Sequence, residues 1–177
     1  MKDFTDKKWI TTDKDIKNLL EQCKQCFAST MNGSLVLQYN ELETLNVSRL
    51  KYTLILNTNS SDNATGSIGH WLVCHVNVLS KLSIIHDSLN EIERCHPDVL
   101  SQIRLFCKRN NLKLVILGLV TQKKQNLNCG LHSLWFTHKC HKYNSNALLK
   151  LKKMFGPYSV NERERYIMNE ILSIFKF

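Results

Sequence analysis

Residues 112–138 read LKLVILGLVTQKKQNLNCGLHSLWFTH and contain the transition around which the rest of the chain is arranged. The apolar run 112–120 is short and rich in Val, Ile and Leu, which predicts a strand. A polar segment follows, and the apolar residues from Leu131 onward recur at helical spacing. Cys129 is therefore expected in the first turn of a helix, directly after a flexible loop.

Four further apolar runs precede this segment and have the composition of strands, at residues 34–39, 52–56, 71–79 and 82–86. Together with 112–120 they predict a sheet of about five strands. Thr12 with Asp15, Pro97, and Asn161 with Glu164 mark the expected starts of three helices. Helices and strands do not alternate regularly, so we predict an α+β domain that spans residues 1–177, with a central mixed sheet flanked by helices.

Composition limits the classes of protein that the chain can represent. Its 177 residues are 43% hydrophobic and carry a formal net charge of +9, which is enough for a core and excludes a wholly disordered chain. No run of about eighteen uncharged apolar residues occurs, and the start of the sequence is too charged for a signal peptide. We therefore expect a soluble, unsecreted protein without membrane partners, whose seven cysteines are thiols rather than a disulfide framework.

The predicted position of Cys129 has a chemical consequence. Unpaired amides and partial positive charge at the amino end of a helix favour a thiolate, which is the nucleophilic form of cysteine. Gly130 leaves room for the backbone of a substrate. A buried and inert thiol is the alternative interpretation, because free cysteines are among the most buried residues of proteins.

A thiolate nucleophile needs a base, and His70 is the candidate because it lies between a loop and a predicted strand. Asp87 stands seventeen positions later, at the end of the next predicted strand. A hairpin that turns near residues 77–81 would make the two residues cross-strand neighbours, so that the carboxylate could orient the imidazole. The alternative is that Asp87 caps the following turn and His70 is an ordinary loop residue.

Four segments occur in an order that is informative as a set: His70-Trp71, Asp87-Ser88-Leu89, Gln122 and Cys129-Gly130. This pattern resembles the cysteine proteases that include the adenovirus maturation protease, adenain, and the SUMO-specific proteases of the Ulp type. Asp87-Ser88-Leu89 is similar to the Ulp version, whereas Leu56-Asn57-Thr58 and Thr121-Gln122 are closer to adenain. The resemblance implies an adenain- or Ulp-like fold.

The resemblance also implies a role for each matching residue. Cys129 would attack the scissile carbonyl, His70 would hold the thiolate and protonate the leaving amine, and Asp87 would orient His70. Gln122 and the backbone amide of Cys129 would form the oxyanion hole. Gln125 is the other possible oxyanion donor and Asn90 is the rival to Asp87; the spacing in the relatives favours Gln122.

As a function, the resemblance implies a cysteine endopeptidase that processes capsid or core precursors of a DNA virus, virophage or Polinton-like element at sites with small residues such as Gly. Its location would be the virion and the compartment where particles assemble. Two alternatives remain open: a protease that removes a ubiquitin-like modifier of the SUMO type, and a basic virion protein that binds nucleic acid without enzymatic activity.

Lys and Arg are distributed over several clusters, which in many small proteins serve only solubility. Resemblance to adenain, which uses viral DNA as a cofactor, implies instead that such clusters contact phosphates. The candidate polyanion contacts are Lys123, Lys124, Lys150, Lys152 and Lys153. The sequence itself requires no cofactor.

A zinc site would have to use Cys23 with Cys26, Cys95-His96, and His138 with Cys140-His141. Structural zinc sites usually show two paired knuckles, which are missing here, and we predict no metal. The remaining histidines, His75, His86 and His132, are expected on the surface of the sheet or the helices.

Overall fold

The structure, a computed structural model, describes residues 12–26, 33–46, 51–59 and 69–174, with side chains described for residues 12–21 of the first range. Its centre is a sheet of five strands in the order of the chain: β1 Ser34–Gln38, β2 Lys51–Asn57, β3 Trp71–Asn77, β4 Leu82–Asp87 and β5 Lys113–Ile116. The predicted five strands are confirmed. The fifth is shorter than the apolar run 112–120, whose second half continues as irregular chain.

The sheet is mixed, as the fold class predicts. β1 pairs with β2 in parallel, β2 with β3 and β3 with β4 are antiparallel, and β4 pairs with β5 in parallel. β3 and β4 form a hairpin in which Leu72 lies opposite Asp87. This register places the beginning of β3 beside the end of β4.

Six α-helices and one 3-10 helix are present in the described ranges. They are α1 Asp13–Cys26, the 3-10 helix Tyr39–Glu43, α2 Ile92–Cys95, α3 Pro97–Arg109, α4 Cys129–Lys142, α5 Ser145–Phe155 and α6 Val160–Ile174. Thr12 and Asp15 form the predicted capping box of α1, and Pro97 is the first residue of α3. None of these helices is long and apolar enough to cross a membrane.

Both faces of the sheet are covered, which explains why β3 is buried along its whole length. On one face Trp71 and Ile84 pack in a cluster with side chains of α1, α4, α5 and α6. On the other face Leu72 and Ile85 pack against α2, α3 and the 3-10 helix. α4 lies on the sheet with Leu134, Trp135 and Phe136 fully buried, and this packing holds its first residue, Cys129, at one end of the sheet.

The start of α6 differs from the prediction. Ser159 and Glu162 form its capping box, in which the Glu162 carboxylate accepts from the Ser159 backbone N–H at 2.8 Å and the Ser159 Oγ accepts from the Glu162 N–H at 3.3 Å. The predicted cap, Asn161 with Glu164, was wrong. The helix begins one residue before Asn161, and Glu164 is buried instead.

Candidate active site

The His70 side chain is positioned by the chain on both sides of it. Its backbone N–H donates to Thr58 Oγ1 and its carbonyl accepts from the Thr58 N–H, each at 2.9 Å. β3 begins at the next residue, so the backbone of His70 is held between a turn and the sheet. Trp71 points into the core beneath α4, where it is buried.

The Asp87 carboxylate lies 2.7 Å from His70, between Oδ1 and Nε2. The same carboxylate accepts from the backbone N–H groups of Leu89, at 3.0 Å, and Glu91, at 2.7 Å. Asp87 therefore caps the following turn and also contacts the imidazole. The two alternatives predicted for this residue, a turn cap and a partner of His70, each describe part of what it contacts. Asn90, the rival residue, is exposed in that turn with a left-handed φ of 54°.

Ionisation of the pair follows from these contacts. Burial raises the pKa of Asp87, but the hydrogen bond with His70 and the two backbone donors outweigh it and lower the pKa to about 2. Burial lowers the pKa of His70, yet the hydrogen bond with Asp87 and the neighbouring Cys129 side chain raise it from 6.5 to about 10. The imidazole is thus a cation at neutral pH, with a carboxylate on one ring nitrogen and a thiol beside the ring.

Cys129 is the first residue of α4 and its side chain is half-buried. Its thiol lies close enough to His70 to raise the pKa of that imidazole, whose Nε2 is already occupied by Asp87. Nδ1 is the ring nitrogen that remains for the thiol. Because the first N–H groups of a helix have no partner within the helix, the Cys129 amide is available for an oxygen of a ligand.

Gln122 is buried in the loop that precedes α4. Its Oε1 accepts from Ser88 Oγ at 2.7 Å, and its Nε2 donates to the carbonyl of Asn126 at 2.5 Å. Its backbone N–H also donates to the Ser88 carbonyl. One N–H of the side-chain amide stays available, as an oxyanion donor requires. Gln125, the other candidate, is exposed.

Behind the site lies a buried polar network that the sequence analysis missed. Thr121 Oγ1 is 3.0 Å from His132 Nδ1 and 3.4 Å from His86 Nε2. Glu164, from α6, accepts from Asn126 Nδ2 at 2.7 Å. The expected surface position of His75, His86 and His132 was wrong, because Thr53 provides a buried hydroxyl partner for His75 and Thr121 provides one for the other two.

The sequence pattern suggests for His96 only the role of a zinc ligand. Its ring stacks on His70, with centroids 5.9 Å apart and an angle of 9° between the planes. Burial and the charge of His70 lower the pKa of His96, so it remains neutral beside the charged ring. No spacing rule relates His96 to His70, since the contact depends on how α2 and α3 pack on the sheet.

The five lysines predicted to contact a polyanion lie in two separate elements. Lys150, Lys152 and Lys153 are exposed on α5, whereas Lys123 and Lys124 belong to the loop before α4. Lys124 is exposed but forms an ion pair with Glu91 at 2.6 Å, so a polyanion would have to compete with that carboxylate.

The zinc hypothesis finds no cluster among the described side chains, where no three His, Cys, Asp or Glu residues meet in a metal-binding arrangement. Cys140 is buried in the core, and burial raises its pKa, while Cys95 is exposed at the end of α2. Cys23 and Cys26 lie outside the residues whose side chains are described.

The α+β fold, a mixed five-stranded sheet flanked by helices, is shared with solved structures of other proteins. The chain is similar in structure to the Chlamydia trachomatis effector protein ChlaDUB1, with a TM-score of 0.51 and 15% identity over 96% of this chain and 74% of the other. It is also similar to the Chlamydia trachomatis effector Cdu1 bound to ubiquitin, with a TM-score of 0.50 and 14% identity over 94% and 79% of the two chains. No protein-family model and no curated protein matches the sequence.

Proposed function

We propose that the protein is a cysteine peptidase with Cys129 as nucleophile, His70 as its acid and base, and Asp87 as the residue that orients His70. The observation that carries this proposal is the contact chain from Asp87 through His70 to Cys129 at the amino end of α4. A charged imidazole between a carboxylate and a thiol is the arrangement that generates a reactive thiolate.

In the first half of the reaction, the Cys129 thiolate adds to the carbonyl carbon of the scissile bond and forms a carbon–sulfur bond. Negative charge develops on the carbonyl oxygen, where the Cys129 N–H and the remaining N–H of Gln122 stabilise it. When the tetrahedral intermediate collapses, the carbon–nitrogen bond breaks. The leaving amine takes the proton of His70 and departs, which leaves a thioester on Cys129.

In the second half, His70 is neutral and accepts a proton from water as the water oxygen attacks the thioester. The carbon–sulfur bond breaks, the acid product leaves, and the ion pair of Cys129 and His70 is restored. Asp87 keeps the His70 imidazole in one tautomer and one orientation through both halves of the reaction. It does so because its own carboxylate is held by two backbone N–H groups.

For the substrate we propose the carboxyl-terminal tail of ubiquitin or a ubiquitin-like modifier. Support comes from the structural similarity to Cdu1, which was solved with ubiquitin bound and aligns with 94% of this chain. Asp87-Ser88-Leu89, which resembles the Ulp version of the motif, agrees with this substrate class.

Processing of viral precursor proteins, the function first implied by the sequence, is the second candidate. It is favoured by Leu56-Asn57-Thr58 and Thr121-Gln122, which resemble adenain more than the Ulp proteases. The chemistry is the same, so the two candidates differ in substrate and not in the roles of His70, Asp87 and Cys129.

The test is a panel of substrates offered to the purified protein: ubiquitin and SUMO with a carboxyl-terminal fluorogenic amide, and a peptide library rich in Gly-containing sites. Release of the fluorophore from a modifier, abolished in Cys129→Ala and His70→Ala, supports the proposal. Cleavage of the library alone supports precursor processing. Wild-type protein that cleaves none of them overturns both candidates.

A matched pair of cysteine variants makes this test specific. Cys95 is exposed and lies next to His96 in the sequence, and its thiol donates to the Glu91 carboxylate at 3.7 Å. Cys95→Ala should therefore retain the activity that Cys129→Ala loses. Circular dichroism of both variants shows whether the fold is intact.

A further inference from the structure

Glu164 is a buried acidic residue on α6 whose position the mechanism above does not explain. Only 7% of the residue is exposed, although the two residues that follow it, Arg165 and Tyr166, are exposed. Burying a carboxylate is costly unless donors compensate it, so its partners indicate why it is there.

The hydrogen-bond donors to Glu164 belong to the loop between Gln122 and Cys129. Glu164 Oε1 accepts from the side-chain amides of Asn126, at 2.7 Å, and Asn128, at 3.4 Å. The Asn126 carbonyl in turn accepts from Gln122 Nε2, and Asn128 directly precedes Cys129. The carboxylate therefore contacts the second half of the loop directly, and it is connected to Gln122 through Asn126.

The surroundings favour the ionised form of this carboxylate. Burial raises the pKa of Glu164, but the nearby His132 ring and the Asn126 amide outweigh it and lower the pKa to about 2. His132 Nε2 is 3.9 Å from Oε1, beyond hydrogen-bond distance, and burial lowers the pKa of His132. The amides of the loop are therefore the donors in hydrogen-bond contact with the charge, and bonds to an ionised acceptor are stronger than neutral ones.

The preceding residue of α6 contacts the same segment. Arg163 donates from Nη1 to the carbonyl of Val120 at 2.9 Å and from Nε to the carbonyl of Phe155 at 2.9 Å. Val120 lies just before Thr121 and Gln122. Two consecutive residues of α6, Arg163 and Glu164, thus contact the chain just before the loop between Gln122 and Cys129 and within that loop.

We propose that Glu164 is a positioning residue, which holds the loop 121–128 so that Gln122 and the amino end of α4 are set for the oxyanion. The inference rests on the proposed peptidase function for its kinetic consequence, but its structural part concerns the loop alone. It assigns a role in the reaction to α6.

The kinetic consequence is selective. The oxyanion donors act on charge that develops in the transition state, so loosening the loop reduces kcat and leaves KM unchanged. Glu164→Ala removes the acceptor and should lower kcat about tenfold, since small misplacements of catalytic groups have effects of this order or larger. Glu164→Gln retains an oxygen acceptor for Asn126 and should recover most of the lost kcat.

Glu170→Gln is the matched control. Glu170 lies on the same helix and accepts from Trp135 Nε1 at 2.8 Å and from Lys139, both on α4, so its loss weakens packing without touching the loop. It should lower the melting temperature while kcat and KM stay at wild-type values. A kcat for Glu164→Ala no lower than that of Glu170→Gln would overturn the positioning role.

Hydrogen exchange of the loop separates this proposal from the proposed function. The Gln122 and Asn126 amides are hydrogen-bonded to Ser88 and Lys123 carbonyls, and they should exchange faster in Glu164→Ala than in wild type or Glu170→Gln. Unchanged exchange overturns the inference even if the protein is an active peptidase. Faster exchange supports it even if the wild-type protein cleaves no substrate in the panel.

Discussion

The Asp87 carboxylate has two roles: it caps the turn after β4 and it contacts His70. Its Oδ1 and Oδ2 accept from backbone N–H groups of the turn that follows β4. The position of the oxygen that contacts His70 is therefore fixed by the backbone of this turn. Groups whose own positions are fixed cost little reorganisation during a reaction. The residue that caps the turn is for this reason well suited to orient the base.

Gln122 provides the first prediction at the scale of the residue. Gln122→Ala should reduce kcat about a hundredfold, the usual effect of losing one oxyanion donor, while Gln125→Ala should change it little because Gln125 is exposed. Steady-state kinetics on the best substrate of the panel measures both. The opposite ranking of the two variants would show that the oxyanion hole uses the other glutamine.

A second prediction concerns pH and the charge of His70. Its pKa is raised from 6.5 to about 10 in the folded protein, so the stability it contributes is complete below 6.5 and is lost as the pH rises through 10. The free energy of unfolding of wild type relative to His70→Gln should therefore be largest near about pH 6 and shrink toward about pH 9.5. Urea titrations at several pH values give this difference; a constant or growing difference contradicts the charged imidazole.

Sequence reasoning predicted the His70–Asp87 contact and the place of Cys129 at the start of a helix, because both depend on local order in the chain. A hairpin with a short turn brings residues at its open ends together whatever the rest of the fold does, and Cys129 opens a helix of clear apolar spacing. Glu164 and His96 could not be found this way. Their contacts join segments distant in the sequence, and only the packing of α6, α2 and α3 on the sheet creates them.

At the scale of the element, the start of α6 shows why a capping pattern alone is ambiguous. Ser159 with Glu162 and Asn161 with Glu164 both fit a polar cap followed three residues later by an acid. In the structure the first pair forms the cap, and Glu164 accepts from Asn126 in the loop before α4 instead. Burial of Glu164 is what distinguishes the two pairs, and burial depends on residues almost forty positions away.

This difference gives a third prediction. Ser159→Ala removes the cap of α6 and should destabilise the protein by about 1 kcal/mol, the usual cost of losing a serine cap. Asn161→Ala should have a much smaller effect, because Asn161 is exposed and lies inside the helix. Thermal or urea denaturation of the two variants compares them directly, and equal losses would contradict the assigned start of the helix.

At the scale of the whole molecule, the net charge of +9 remains unexplained by the site. A sequence-independent interaction with DNA is still a prediction, and Lys150, Lys152 and Lys153, which are exposed on α5, are its candidate contacts. If about six phosphates are neutralised, the affinity should fall roughly a thousandfold between about 50 and 200 mM salt. Fluorescence anisotropy with a duplex, compared between wild type and a variant with all three lysines changed to Gln, measures this; no binding at about 50 mM salt would leave only a role in solubility.

The number of strands and the fold class could be predicted because apolar runs, caps and turns follow from local periodicity. The burial of His75, His86 and His132 could not, since each is accommodated by a hydroxyl from another element. A pattern that separates apolar from polar positions predicts polar residues on the surface, so it does not identify those inside a core. They become interpretable only when their partners are known.

The central claim is that Cys129 is a nucleophile activated by His70, and the reactivity of the cysteines tests it without any knowledge of the substrate. Burial raises the pKa of Cys74 to about 12 and raises those of Cys107 and Cys140, while Cys95 is exposed and its thiol donates to Glu91. Limiting iodoacetamide at neutral pH, with the modified residues mapped by mass spectrometry, should label Cys129 first in the folded protein and much more slowly in His70→Ala. Labelling of Cys95 at the same rate as Cys129, or labelling of Cys129 that does not depend on His70, would contradict the account.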